Sequence, residues 1–232
     1  MMQWRSEGTS AKIVPFESVK REASTRSVGD MIDTMGISMK FNRNGEIFGE
    51  NEPADYVYRI VSGAVRTCKL MSDGRRQIGA FYLPGDMFGL ECEEFHDFSA
   101  EAIGDCTVRA IKRKTVLAEV ASQSRLLNQL WAQTTVHLQR AQQHILLLGR
   151  KNAQERIAAF LLDMAERLSR SGDMELPMSR QDIADYLGLT IETVSRTLTQ
   201  LERDGLIAIP VSRRIVFRNR AALDVMNDSL AA

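Results

Sequence analysis

From Thr115 to Gly149 the chain runs without one glycine or proline, and this stretch constrains the fold more than any other. It reads as a long helix. Along it Leu127, Trp131, Thr134, Leu138, Ala141, Ile145 and Leu148 recur in alternating steps of four and three, the a/d seam of a coiled coil. Charged and amide side chains such as Arg125, Gln129, Gln133, Gln139, Arg140 and Gln143 surround the seam. Two partners suit such a stripe: a β domain of the same chain, or a second copy. A single seam of this length needs an equally long partner, so the favoured reading is a dimerisation helix region over 115–149 that pairs with a symmetry mate.

The chain before that helix has a different texture. From Ile37 to Arg113, short strand-like runs (YVYRIVSG, AVRTCKLM, RQIGAFYL, CTVRAIK) alternate with turn clusters (NRNG, NEPAD, SDGRR, LPGD). Strands of this length between Gly, Asn, Asp and Pro predict an antiparallel sandwich or roll over 37–114. Residues 1–36 are polar and mixed, and are expected to be a partly ordered arm.

After the long helix, a second amphipathic helix from Asn152 to Leu168 places Ile157, Phe160, Leu161, Met164 and Leu168 on one face, with a domain boundary expected at 149–151. The segment SRQDIADYLGLTIETVSRTLTQLERDGLI then carries the clearest functional pattern. Ser179 with Asp182 forms an N-cap and acidic third position for a short helix over Arg180–Leu187. Gly188 supplies the left-handed turn residue, and Thr190 caps the next helix. Two short helices joined by such a turn are a helix-turn-helix. Ile183, Ala184, Leu187, Leu189, Val194 and Leu198 are spaced to fill the space between them, leaving Glu192, Ser195, Arg196 and Thr199 on the opposite face.

That free face suits the major groove of DNA. Arg donates two bonds to guanine, a carboxylate accepts from a base amino group, and a hydroxyl serves a base edge or a phosphate. Glu192, Ser195 and Arg196 are therefore the candidate base readers, and the four-residue spacing of Glu192 and Arg196 predicts that they pair. An ordinary solvated salt bridge is the alternative, but the cap, the turn glycine and the core spacing coincide here. Beyond the second helix, DGLIAIPVSRRIVFRN gives two short β runs around PVSRR, the wing of a winged helix filling 150–232. Arg213 and Arg214 are candidate phosphate contacts, together with Ser179, Arg180, Thr190, Thr193 and Thr199.

Composition adds exclusions. With 232 residues, two domains are the natural prior. Lys and Arg number 30 against 30 Asp and Glu, so global charge gives no reason to propose nucleic acid, and only the local pattern does. No run of about 18 apolar residues occurs and the N-terminus lacks the apolar centre of a secretory signal, which predicts a cytoplasmic protein. Cys68, Cys92 and Cys106 are odd in number and widely spaced, arguing against disulfides and against a CxxC metal site. No catalytic grouping or phosphate loop is present, so an enzyme is not expected.

With these residues in view, the α+β chain resembles the CRP/FNR superfamily of bacterial transcription regulators along nearly its whole length. The order matches: a cyclic-nucleotide-binding-like β-roll with Gly45, Gly63, Gly79 and Gly85, a long dimerisation helix and a C-terminal winged helix-turn-helix. SRQDIADYLGLTIETVSR is most similar to the FNR and FixK branch. The resemblance implies that Glu192, Ser195 and Arg196 read a TTGA-like half-site of a palindrome, and that RNA polymerase is a partner. The exposed turn SDGRR at 72–76 is a candidate polymerase contact.

Departures from the family narrow the expectation. Cyclic-nucleotide-binding members carry an Arg-Ser pair for the phosphate, whereas here Gly85 and Asp86 are present but Phe98 precedes Ser99. A buried phosphate without its arginine would be costly. Oxygen sensors gather N-terminal cysteines for an iron–sulfur cluster, and this N-terminus has none. The haem-binding sensors use a Cys and a His where this chain has Gly89 and Glu91. His96, His137 and His144 are expected to be surface or interface residues. No metal and no cofactor are therefore expected, leaving the FixK-like type, an activator whose own abundance carries a low-oxygen signal to genes of microoxic metabolism or nitrogen fixation. The rival expectation is a regulator that reads a small molecule or a redox signal in the roll. Cys68, between Arg66 and Lys69, is the strongest redox candidate, with inert packing the better one.

Overall fold

The computed structural model describes residues 27–91, 93–168 and 173–228. Helix α1 (Val28–Met35) precedes eight strands: β1 (Ile37–Phe41), β2 (Glu46–Phe48), β3 (Tyr56–Ser62), β4 (Val65–Leu70), β5 (Arg76–Tyr82), β6 (Met87–Phe88), β7 (Ser99–Ala102) and β8 (Cys106–Lys112). They form two antiparallel four-stranded sheets, in the orders β1-β8-β3-β6 and β2-β7-β4-β5. Phe48, Tyr58, Ile60, Val65, Phe88, Ala100, Ala102, Cys106, Val108 and Ala110 fill the space between the sheets.

One irregularity decides what the second sheet presents outward. Thr67 pairs with Ala80 but Cys68 pairs with Ile78, so β5 carries an extra residue at Gly79. Strict alternation would send Ile78 and Phe81 to opposite faces; the bulge puts both on the outer face, with Tyr82 turned inward. Gly79 also lets the Phe98 ring close in, since a Cβ there would lie 3.1 Å from Phe98 Cε1.

The stretch through residue 36, expected as an arm, ends in a helix instead. Ser27 and Asp30 form a reciprocal capping box, a four-residue signal legible in the sequence. Val28, Met31 and Ile32 then pack with Val57 and Ile111 on the outer face of the first sheet. Residues 1–26, Cys92 and Gly172 lie outside the described residues.

The expected long helix is in fact two, α2 (Arg113–Ser122) and α3 (Ser124–Arg150), with Gln123 extended between them at φ −138°, ψ 100°. Val116, Val120 and Leu126 all bury against the same patch of roll. In one continuous helix Leu126 would point about 240° away from Val120, and a single non-helical residue restores the register. Leu127, Trp131, Thr134, Leu138, Ala141 and Ile145 are exposed, Trp131 by 74% and Ile145 by 68%. Leu148, the last expected seam residue, is half-buried against the C-terminal core.

After α3, Asn152 caps α4 (Ala153–Leu168), its Oδ1 accepting from the backbone of Gln154 and Glu155. Strand β9 (Asp173–Glu175), α5 (Arg180–Leu187), α6 (Ile191–Arg203), β10 (Ile207–Val211), β11 (Arg214–Phe217) and α7 (Arg220–Asp228) complete the chain, with β10-β11-β9 as a small sheet. Arg156 fastens this unit to the long helix: it donates to the carbonyls of Leu148, Lys151 and Leu187, acceptors that helix ends leave free. The core of the unit, from Ile157 to Leu223, is continuous with Ile78, Phe81 and Leu83 on the roll. No helix among the described residues is long and apolar enough to cross a membrane.

Gly188 sits at φ +62°, ψ 39°, and a Cβ there would find only ordinary contact with Leu148 Cδ2 at 3.5 Å. The cost of a side chain is thus conformational. Gly188→Ala is expected to destabilise the unit by about 1–2 kcal/mol and Gly188→Asn by less, read as urea midpoints.

Candidate nucleic-acid interface

Helices α5 and α6 are each started by a side-chain cap. Ser179 Oγ accepts from Asp182 N at 3.1 Å, and Asp182 Oδ2 accepts from Ser179 N at 2.9 Å. Thr190 Oγ1 accepts from Thr193 N at 3.2 Å. Ile183, Ala184 and Leu187 on α5 meet Val194, Leu198 and Leu201 on α6 in the core. Burying that stripe leaves Glu192, Arg196 and Thr199 exposed and Thr193 and Ser195 half-exposed on the outer side of α6.

The side chains on this face are already organised. Arg180 Nη1 donates to Ser195 Oγ at 3.2 Å, so the first helix supplies a cation beside the second helix's reading face. Thr199 Oγ1 donates to the Ser195 carbonyl at 3.0 Å. Glu192 and Arg196 do not pair as expected. The Glu192 carboxyl is held below its usual range first by its own backbone N–H, then by the Thr190 hydroxyl, with Arg196 the last and weakest influence. The helix start thus claims the carboxylate, and Arg196 keeps its guanidinium exposed.

The wing brings its arginines less fully to this surface. Arg213 Nη1 donates to the Pro177 carbonyl at 3.2 Å. Arg214 is paired with Asp173 through Nε at 3.0 Å: β11 pairs with β9 so that Arg214 lies opposite Glu175 and reaches Asp173, two residues along the same face, on the diagonal. Its charge is engaged within the protein, a position that the sequence did not distinguish from Arg213. Of the other backbone-contact candidates, Ser179, Thr190 and Thr193 are occupied with capping.

One histidine is a correction. Expected at a surface or interface, His96 is packed in the interior of the roll, whereas His137 and His144 are half-buried and line the cleft beside α3. His96 is 2% exposed and stacks on Phe48 with ring centroids 3.5 Å apart. His137 lies edge-on to Tyr82, and His144 stacks on Tyr186 and donates to its carbonyl at 2.8 Å. Burial lowers the pKa of both His137 and His144. Cys68 and Cys106 are also buried, and burial pushes both thiols up to about 11, away from thiolate reactivity. Among the described residues no group of three His, Cys, Asp or Glu could hold a metal ion.

The positions that distinguish ligand-binding rolls have other uses here. Asp86 Oδ2 accepts from Leu83 N at 2.8 Å and from Arg167 at 2.9 Å, with Arg140 at 3.6 Å from its other oxygen. Phe98 lies against Gly79, with Lys69 Nζ 5.8 Å from its centroid. A cleft of about 630 Å³ remains between the roll, α3 and α4, lined among others by Tyr82, Phe98, His137, Arg140, Arg167 and Tyr186.

Comparison with known proteins decides the family. The family model for a Crp-like helix-turn-helix domain matches residues 155–226 and that for a cyclic nucleotide-binding domain residues 38–123. The nitrogen fixation regulation protein FixK of Azorhizobium caulinodans is 54% identical over 198 residues, covering 83% of this chain and 80% of that protein. This chain belongs to the CRP/FNR superfamily, on its FixK-like branch. FixK of Rhizobium meliloti is 47% identical, covering 77% of this chain and 81% of its own length. The structure of FixK2 from Bradyrhizobium japonicum superimposes with a TM-score of 0.81 at 51% identity, covering 83% of this chain and 98% of that one. A FixK-like chain is a transcription regulator with a helix-turn-helix, not an enzyme.

What sequence reasoning missed is the ionic contact behind the motif. Asp182, read as a cap, also accepts from Arg66 and Arg76 of the roll, each at 2.8 Å. Burial pushes its carboxyl up, but the Ser179 hydrogen bonds and the two guanidinium charges outweigh this and hold it below the usual range. A depressed carboxyl stabilises the fold above its unfolded pKa, and that stability is lost as pH falls through the lower folded value. The stability gap between wild type and Asp182→Asn, read from urea midpoints, should stay constant from about pH 8 to about pH 5 and shrink below about pH 4.

Proposed function

We propose that this protein is a homodimeric activator that binds a TTGA-like palindrome without a cofactor and controls genes of microoxic metabolism or nitrogen fixation. The observation that carries the reading is the exposed face of α6, where Glu192 and Arg196 stand clear of the core and Ser195 is held by Arg180. Arg196 is free to donate to guanine and Glu192, ionised, to accept from a base amino group of the same half-site. Arg213 and the N-termini of α5 and α6 supply phosphate contacts that fix register. The names of the FixK relatives, which say that they regulate nitrogen fixation, support the choice of target genes.

Dimerisation rests on the exposed seam of α3. Leu127, Trp131, Leu138 and Ile145 form an apolar stripe that the described residues leave uncovered, all more than half exposed, and a parallel copy would bury it. Two such helices side by side would set two α6 helices about 34 Å apart, one turn of DNA. Independence from a cofactor rests on Asp86 and Phe98, which are committed to contacts within the protein. Activation requires contact with RNA polymerase. The turn at 72–76 is the candidate surface, reduced to its exposed part because Arg76 is turned to α5 while Arg75 stays exposed.

A second reading, a regulator gated by a small molecule, draws on the cleft beside α3. One experiment separates the two. A gel shift of purified protein in air on a TTGA-N6-TCAA duplex is expected to give tight binding with nothing added; binding only after a ligand is supplied, or only without oxygen, selects the gated reading. On the same duplex Glu192→Ala and Arg196→Ala should each cost about 1–3 kcal/mol and relax the base preference. Equal binding of all proteins to cognate and scrambled DNA would refute the assignment. Leu138→Glu, placing a charge in the seam, is expected to yield monomers by sedimentation and to abolish binding to the full palindrome.

A further inference from the structure

The ionic cluster between the roll and α5 has no part in reading bases. Asp182, 4% exposed, takes Arg66 Nη1 and Arg76 Nη2 on one oxygen and Ser179 on the other. Arg66, itself 5% exposed, donates through Nε and Nη2 to Glu101 at 2.9 and 2.6 Å and through Nη2 to Asn44 at 3.1 Å. Arg76 also grips Asp185 through Nε and Nη2, both at 2.8 Å. Around the charges, Gln77 Nε2 donates to the Tyr186 carbonyl at 3.3 Å and Phe81 lies 5.1 Å from the Tyr186 ring.

Packing alone does not require such an arrangement. Apolar residues of similar volume hold an interface at least as firmly as a buried ion pair, because taking charges out of water is costly. What paired guanidinium–carboxylate contacts add is direction: a planar fork accepts its carboxylate from a narrow range of angles. The cluster uses Asp182, Asp185 and the backbone of Tyr186, and none of Arg180, Glu192, Ser195 or Arg196. The posture it fixes leaves the reading face open.

We propose that Arg66 and Arg76 are positioning residues for operator binding: through Asp182 and Asp185 they hold the helix-turn-helix at one attitude to the roll and α3, so that charge pairing within each chain sets the separation of the dimer's two recognition helices. The inference rests on the dimeric operator reading above and adds the source of its geometry. Once one half-site is bound, the second binds as an intramolecular event whose strength depends on how closely the other recognition helix is held in place. A loosened docking spreads that helix over many positions and weakens the second contact while leaving the first intact.

The test uses the full-length protein and three duplexes: a single TTGA half-site, the palindrome with its six-base spacer, and the palindrome with a spacer two bases longer. Arg76→Gln and Asp185→Asn, chosen because both side chains are partly exposed, are expected to lose about tenfold on the six-base palindrome. Half-site affinity should not change, and the preference for six bases over eight should shrink. Three results would overturn the proposal: single variants that keep both affinity and spacer preference, equal losses on half-site and palindrome, or tighter binding to the palindrome. Failure of the wild type to bind the palindrome would count against the operator reading instead. Solution scattering then still tests the clamp, since the radius of gyration should rise in Arg76→Gln, and an unchanged radius refutes it.

Discussion

The carboxylate of Asp182 joins the helix-turn-helix to the roll. One of its oxygens closes the cap that starts α5, and the other draws two arginines from separate strands of the roll. The same carboxylate thus serves local structure and tertiary structure at once. Removing its charge would leave two guanidinium groups in a dry interface with Glu101 and Asp185 as their remaining acidic partners, and loss of one member of a buried pair is the expensive case. The apolar contact of Ile78 and Phe81 with the C-terminal core supplies area, while Asp182 supplies orientation.

The long helix and the C-terminal unit are joined by an equally economical device. Arg156 binds carbonyls at the ends of α3 and α5 and at the junction between α3 and α4. Any rotation of α5 relative to α3 strains bonds made by a single guanidinium. Together with the His144–Tyr186 stack, this makes the chain from seam to reading face a series of short, directional contacts rather than a flexible linker.

Much of this was legible in the sequence. The two-helix motif followed from Ser179, Asp182, Gly188 and Thr190, because caps and left-handed turns are local chemistry and leave local signatures. The roll followed from alternation and turn clusters. Three things were not legible for a shared reason. The break at Gln123 has no glycine or proline to announce it and arises from the register of Val120 and Leu126 on the roll. The bulge at Gly79 is visible only once β4 and β5 are paired. Arg76 looked like a free turn residue, and Glu192 and Arg196 looked like a helical pair, until neighbours distant or local claimed Arg76 and Glu192. Helix α1 is different: its Ser27–Asp30 capping box is a local signature of the same kind as that of α5.

The use made of Asp86 has a thermodynamic consequence. The Asp86 carboxylate ties a roll backbone N–H, Arg140 of α3 and Arg167 of α4 together, and both arginines line the cleft. A molecule entering the cleft and competing for those arginines must first separate them from Asp86, so part of its binding energy is spent on breaking contacts within the protein. The cleft therefore sets an energetic threshold for such a molecule, and on the cofactor-independent reading proposed above the roll would act as a strut.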